Sequence, residues 1–171
     1  MDYDVYETEG FGLQSGVALP MTRLAYKTHG TLSPGKDNVI VYPSRYAGTL
    51  ADQDYLIGPG MALDPEKYFI MCLNMMGSGL SSSPSNTPAP FDGPRFPKVT
   101  QYDNVRLQAQ MLREVFGIEQ IALAVGWSMG GDVPRSGGGL VVHVRPGHDG
   151  SAHLCLPDRR EAGDHQRPRL E

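Results

Sequence analysis

Apolar residues along this chain fall into short runs, and their spacing changes from one run to the next. Val5 to Phe11 and Leu19 to Thr28 alternate loosely between apolar and polar positions, with Ser15-Gly16 between them. A two-residue period broken by a glycine turn predicts two antiparallel strands. Ser33-Pro34-Gly35-Lys36-Asp37 is turn chemistry, because Pro fixes φ and Gly accepts a positive one. Three later runs do not alternate: Asn38-Val39-Ile40-Val41-Tyr42, Tyr68-Phe69-Ile70-Met71-Cys72-Leu73-Asn74 and Ile121-Ala122-Leu123-Ala124-Val125. Unbroken apolar runs of this length suit strands buried on both faces.

Between the second and third of these runs the spacing becomes helical. Thr100-Gln101-Tyr102-Asp103 has the Thr-x-x-acid form of a capping box, and Asp103 is also favourable at the positive end of a helix dipole. Val105, Ala109, Leu112 and Phe116 then recur every three or four residues, one apolar stripe that faces a sheet. Gly117 closes the helix. Strand, helix and strand with parallel-type apolar runs predict an α/β sheet layer. Gly77 to Pro97, rich in Ser, Pro and Gly, is a long loop of the length that often carries function.

This patterning stops near Gly131, and the composition breaks there too. Residues 1–131 hold all 5 Phe, 8 Tyr, 8 Met, 5 Ile, 4 Asn and 4 Lys, whereas 132–171 hold none of them but carry 6 Arg, 6 Gly, 4 Pro and 4 His. The six missing types have codons poor in G and C. Their joint absence favours an out-of-frame reading of a G/C-rich gene over an ordinary Gly/Pro/Arg-rich disordered tail. The organisation predicted is thus an ordered part, 1–131, and an irregular or disordered tail, 132–171. Gly137-Gly138-Gly139 would end any helix, and the tail has no aromatic side chain to bury.

Charge and cysteine content exclude several classes. A net charge of -4 argues against a nucleic-acid surface. No run of about 18 apolar residues predicts a membrane span. The start, Met1-Asp2-Tyr3-Asp4, lacks the basic and apolar regions of a signal peptide. Cys72 and Cys155 are too few for a disulfide framework or a structural zinc site. A soluble, cytoplasmic protein acting on a small molecule is the remaining expectation, with no metal or resident cofactor.

The chemistry lies at Gly126-Trp127-Ser128-Met129-Gly130-Gly131, directly after the third apolar run. Gly-x-Ser-x-Gly between a buried strand and an expected helix is the setting of a nucleophile elbow. A serine on such a tight turn holds strained backbone angles, and side chains two positions away on either side would collide, hence Gly126 and Gly130. Ser128 is the candidate nucleophile. The Met129 N–H points toward a bound acyl oxygen at a helix N-terminus. A second N–H is expected from the loop after the first buried strand, Pro43-Ser44-Arg45-Tyr46-Ala47-Gly48, with Tyr46 the favoured position. Arg45 reads as a solvated cation rather than an active-site group.

With these residues in view, 1–131 resembles the N-terminal half of the homoserine O-acetyltransferase family of α/β-hydrolase-fold acyltransferases. The matching stretches are Tyr26 to Leu32, Leu56-Ile57-Gly58-Pro59-Gly60 with Ala62-Leu63-Asp64, Tyr68 to Asn74, Gly93 to Thr100, Asp103-Asn104-Val105-Arg106 and Gly126 to Gly131. The resemblance implies a partial α/β-hydrolase fold and an acyl group passing from coenzyme A, as co-substrate, to Ser128 and then to a hydroxyl acceptor. Two stretches depart from the family. The 43–48 loop lacks the usual His-Ala-Leu-Thr-Gly wording, and Met75-Met76-Gly77-Ser78-Gly79 differs from the usual Gly-rich stretch. Both suggest a divergent branch with another acceptor, or one that hydrolyses esters.

A serine hydroxyl needs a base, normally His oriented by an acid, and in this fold both follow the nucleophile. Asp149 and His165 stand in the right order, but a chance acid and His are expected in such a tail. This chain is therefore expected to be inactive as it stands, or a catalytically dead fragment. His29 precedes the nucleophile and reads as a turn or surface residue. His143, His148 and His153 read as fortuitous rather than as metal ligands. Met75-Met76 reads as core.

Overall fold

A computed structural model describes residues 2–126, together with the backbone of 144–146 and 152–155. Five strands form a mixed sheet: β1 (Asp4–Gly12), β2 (Ala18–His29), β3 (Val39–Pro43), β4 (Phe69–Leu73) and β6 (Leu123–Ala124), in the order β1-β2-β4-β3-β6. β1, β2 and β4 pair antiparallel, whereas β4, β3 and β6 run parallel. The hairpin turns where the glycine sits, with the Leu13 N–H donating to Val17 C=O and the Gly16 N–H to Leu13 C=O.

Both faces of β3 and β4 are covered, which is why their sequence does not alternate, whereas Leu123 of β6 is 47% exposed and does not meet the expectation of a strand buried on both faces. Val39, Val41, Phe69, Met71 and Leu73 pack with Leu24 and Tyr26 beneath α1 (Gln101–Phe116), which contributes Leu107, Met111 and Leu112. The opposite side chains, Ile40, Tyr42, Ile70 and Cys72, pack with Ala25 under Leu50 and Leu63 of the long connection between β3 and β4. Burial pushes the Cys72 thiol up to about 12, so it stays protonated at neutral pH.

α1 starts and stops where its sequence signals stand. The Thr100 side chain accepts from the Asp103 N–H at 3.2 Å, and the Asp103 carboxylate accepts from the Thr100 N–H at 2.9 Å. Gly117 closes the helix at φ 61°. Lys36 reaches across to this end and donates to the Phe116 and Gly117 carbonyls at 2.8 and 3.0 Å. Asp103 does more than cap: fully buried, it also accepts from the Gln14 N–H at 2.8 Å and so ties the β1–β2 hairpin turn to the helix. Thr100→Ala is expected to cost about 1 kcal/mol, the usual value of an N-cap. Asp103→Ala removes the acceptor of the half-buried Thr100 and Gln14 N–H groups and is expected to cost about 1–2 kcal/mol. Urea midpoints at unchanged m-value measure both.

The third apolar run is extended, as the sequence predicts, but it serves two sheets. β5 (Gln120–Ile121) and β6 are separated by Ala122, whose N–H donates to Val39 C=O at 2.8 Å, and the Val125 N–H donates to Val41 C=O at 2.9 Å. The other edge of β5 pairs antiparallel with β8 (Ala152–Cys155), which pairs with β7 (Val144–Pro146). The stretch read as an irregular tail therefore contains two described strands. A composition average over the whole stretch does not register segments this short. The rest of the tail lies outside the described residues. Among the described residues no helix is long and apolar enough to cross a membrane.

Candidate active site

The parallel strands β4, β3 and β6 end side by side, and the residues beyond them converge at that end of the sheet. After β6 the chain passes Val125 and Gly126, where the Gly-x-Ser-x-Gly sequence begins. Ser128, Met129 and Gly130 lie outside the described residues, as do His143, His148, Asp149 and His165.

After β3, Ser44 extends the ladder by one residue. Its N–H donates to Leu73 C=O at 2.8 Å, and its hydroxyl accepts from the Met75 N–H at 3.2 Å. The chain then turns sharply: the Gly48 N–H donates to Arg45 C=O at 3.0 Å, and Ala47 sits at φ 52°. A non-glycine residue in the left-handed region costs about 1 kcal/mol or more, and such strain gathers where a backbone group must be aimed. Tyr46 is at the tip, with 73% of its surface exposed. None of the hydrogen bonds among the described residues uses its N–H. Arg45 is exposed and pairs with Asp52 at 3.7 Å. Hydrogen bonds from the Thr49 N–H and hydroxyl hold the Asp52 carboxyl below its usual range.

After β4 comes a buried polar junction. Asn74 is fully buried, and its amide donates to Gly48 C=O at 3.1 Å and accepts from the Ser81 N–H at 3.0 Å. Met75 and Met76 are buried, in keeping with a core role. The Met76 N–H donates to the Asn104 side chain at 2.8 Å, fastening this corner to the first turn of α1. The 77–97 loop is not a free lid in this region, because Ser81 and Ser82 act as substitute strand residues. Their hydroxyls accept from the Ala25 and Arg23 N–H groups at 2.9 Å, where β2 outruns β4. Asn74, Ser44 and the serine run were absent from the site residues read from the sequence. A polar residue closing an apolar strand run was the available signal for Asn74.

His29 is the last residue of β2, beside Gly30, with its side chain 20% exposed; it faces Asp54 at 3.4 Å, and Lys27 reaches the same carboxylate at 3.1 Å. Its register partner is Ile70, near the start of β4, whereas Pro43 and Leu73 mark the strand ends. Three residues along a strand is about 10 Å, so this acid–His pair stands apart from the convergence. Burial lowers the His29 pKa, and the pull of Asp54 does not restore it. The unfolded chain then takes up a proton first as pH falls through about 6.5, and the folded state loses stability below that point. His29→Gln is expected to reduce the drop in urea midpoint between pH 7.5 and 5.5.

Among the described residues no group of three or more His, Cys, Asp or Glu side chains is placed to hold a metal ion. A family model of the alpha/beta hydrolase fold matches residues 46–133. The chain is 47% identical over 119 residues to an ethyl acetate hydrolase of Pseudomonas veronii, covering 69% of this chain and 34% of that one. It is 40% identical over 131 residues to a homoserine O-acetyltransferase of Emericella nidulans, covering 71% and 27%. Among solved structures, acetyl esterase MekB superposes with a TM-score of 0.73 at 43% identity, over 75% of this chain and 37% of that one. The chain thus spans about a third of the length of these relatives.

Proposed function

Because this chain belongs to the α/β-hydrolase-fold family, we propose that Ser128 is the nucleophile of a site that cleaves short acyl esters, with the Tyr46 and Met129 N–H groups receiving the acyl oxygen. The observation that carries this reading is the shared strand end. The segment 122–125 runs alongside β3 in parallel, which brings Gly126 to the same strand end from which the strained loop departs, and the Tyr46 N–H of that loop is unused by the described residues. In the reaction the Ser128 oxygen bonds to the ester carbonyl carbon, and its proton passes to a base. The alcohol leaves with a proton, and water then releases the acid from the acyl-serine. Two backbone donors on the developing oxyanion supply the largest part of the rate, each worth about 10²–10³.

Hydrolysis is favoured over transfer by two features. The 43–48 and 75–79 stretches depart from acetyltransferase wording, and identity is higher to the ethyl acetate hydrolase than to the acetyltransferase. Transfer from acetyl-coenzyme A to homoserine is the second reading, supported by the 40% identity to an enzyme of that name. In this fold the acid and the histidine that activate the serine follow the nucleophile along the chain.

The test joins residues 1–131 to the C-terminal part of acetyl esterase MekB. This hybrid is expected to hydrolyse ethyl acetate without coenzyme A. Thiol release from acetyl-coenzyme A that depends on homoserine, with no ester hydrolysis, would favour the second reading.

A further inference from the structure

We propose that Asn74 is a positioning residue that holds the Tyr46 N–H in place, by clamping the far end of the loop that carries it. The role rests on the reading of that loop as an acyl-oxygen site. The loop is anchored before its tip by Ser44, on Leu73 C=O, and after its tip by Gly48 C=O, on the Asn74 amide at 3.1 Å. Both anchors are therefore consecutive residues at the end of β4, and the tip between them is exposed and strained at Ala47.

Asn74 itself cannot shift, since every polar group it has is engaged. Its N–H donates to Ala25 C=O at 2.9 Å, its C=O accepts from the Ser81 hydroxyl at 2.5 Å, and its side-chain oxygen accepts from the Ser81 N–H at 3.0 Å. A fully buried amide satisfied on both ends is rigid, and removing it leaves Gly48 C=O without this donor. An oxyanion donor must be held to within about 0.5 Å, which an exposed three-residue tip does not achieve unaided.

The test uses this chain labelled with [15N]tyrosine and reads the backbone order parameter of Tyr46, so it does not depend on Ser128 or on turnover. The wild-type value is expected near 0.85 at both pH 8 and pH 5, and Asn74→Ala is expected to fall below about 0.6 at both. Asn74→Asp is the discriminating variant. At pH 8 its carboxylate keeps the acceptor for Ser81 but faces Gly48 C=O with no proton to donate, so Tyr46 becomes mobile. At pH 5 the buried acid is protonated, its O–H can donate to Gly48 C=O, and Tyr46 order returns. An unchanged Tyr46 in both variants, a loss in Asn74→Asp that does not reverse with pH, or loss of the whole fold in both variants overturns the proposal. Ester hydrolysis by the hybrid chain fails or succeeds separately, so the two readings are judged apart.

Discussion

Ser128→Ala in the hybrid of residues 1–131 with the C-terminal part of acetyl esterase MekB is expected to lower ethyl acetate hydrolysis about 10⁴–10⁶-fold. That is the range seen when the nucleophile of a serine triad is removed. The residual rate comes from substrate binding and from the two backbone donors, which the substitution leaves in place. The 171-residue chain itself is expected to lie at a similar floor, because a serine without its base remains a hydroxyl near neutral pH. Steady-state rates of the three proteins decide the matter. A rate in the 171-residue chain that Ser128→Ala abolishes would mean that Asp149, His165 or another tail group supplies a base.

The second large effect is structural. Gly30 follows β2 at φ +79°, and a Cβ there would overlap Tyr68 C=O and lie 2.5 Å from Pro65 C=O, both backbone atoms that cannot swing aside. Gly30→Ala therefore combines a left-handed conformation, about 1–2 kcal/mol, with a backbone collision of about 1–3 kcal/mol. A loss of about 3 kcal/mol is expected, enough to unfold a marginal domain. Gly10→Ala is the control: its φ is +63° but nothing lies within 4 Å, so only the conformational cost applies. Equal urea midpoints for the two variants would show that the turn before β4 can move away.

Gly30 also shows where sequence reading stops. Its crowding depends on Pro65 and Tyr68, and nothing local to Gly30 announces them. What was legible had local causes. β3 and β4 announced themselves because burial on both faces removes alternation, and α1 because Thr100, Asp103 and Gly117 are caps whose partners lie within a few residues. The hidden parts are pairings across long separations. Ser81 bonds to Ala25, 56 positions away, and Asp103 to Gln14, 89 away. His29 has the same explanation, since its carboxylate neighbour Asp54 comes from a turn that packs on the second face of the sheet. At the site, the turn of the 43–48 loop was readable from residue types, whereas its tie to Asn74 was not; the elbow serine lies outside the described residues. An asparagine ending an apolar strand has no local partner in the sequence. Composition averages over forty residues and does not register a four-residue strand such as Ala152–Cys155, of which Leu154 and Cys155 pair with β5.

The central claim is that this sheet end presents Ser128 as an acyl-accepting nucleophile. The most direct measurement is the mass-spectrometric position of the adduct formed when the hybrid chain is treated with an active-site phosphonate. A single adduct on the peptide carrying Gly126 to Gly131, at Ser128 and lost in Ser128→Ala, is the predicted result. An adduct elsewhere, with ester hydrolysis intact, would contradict it.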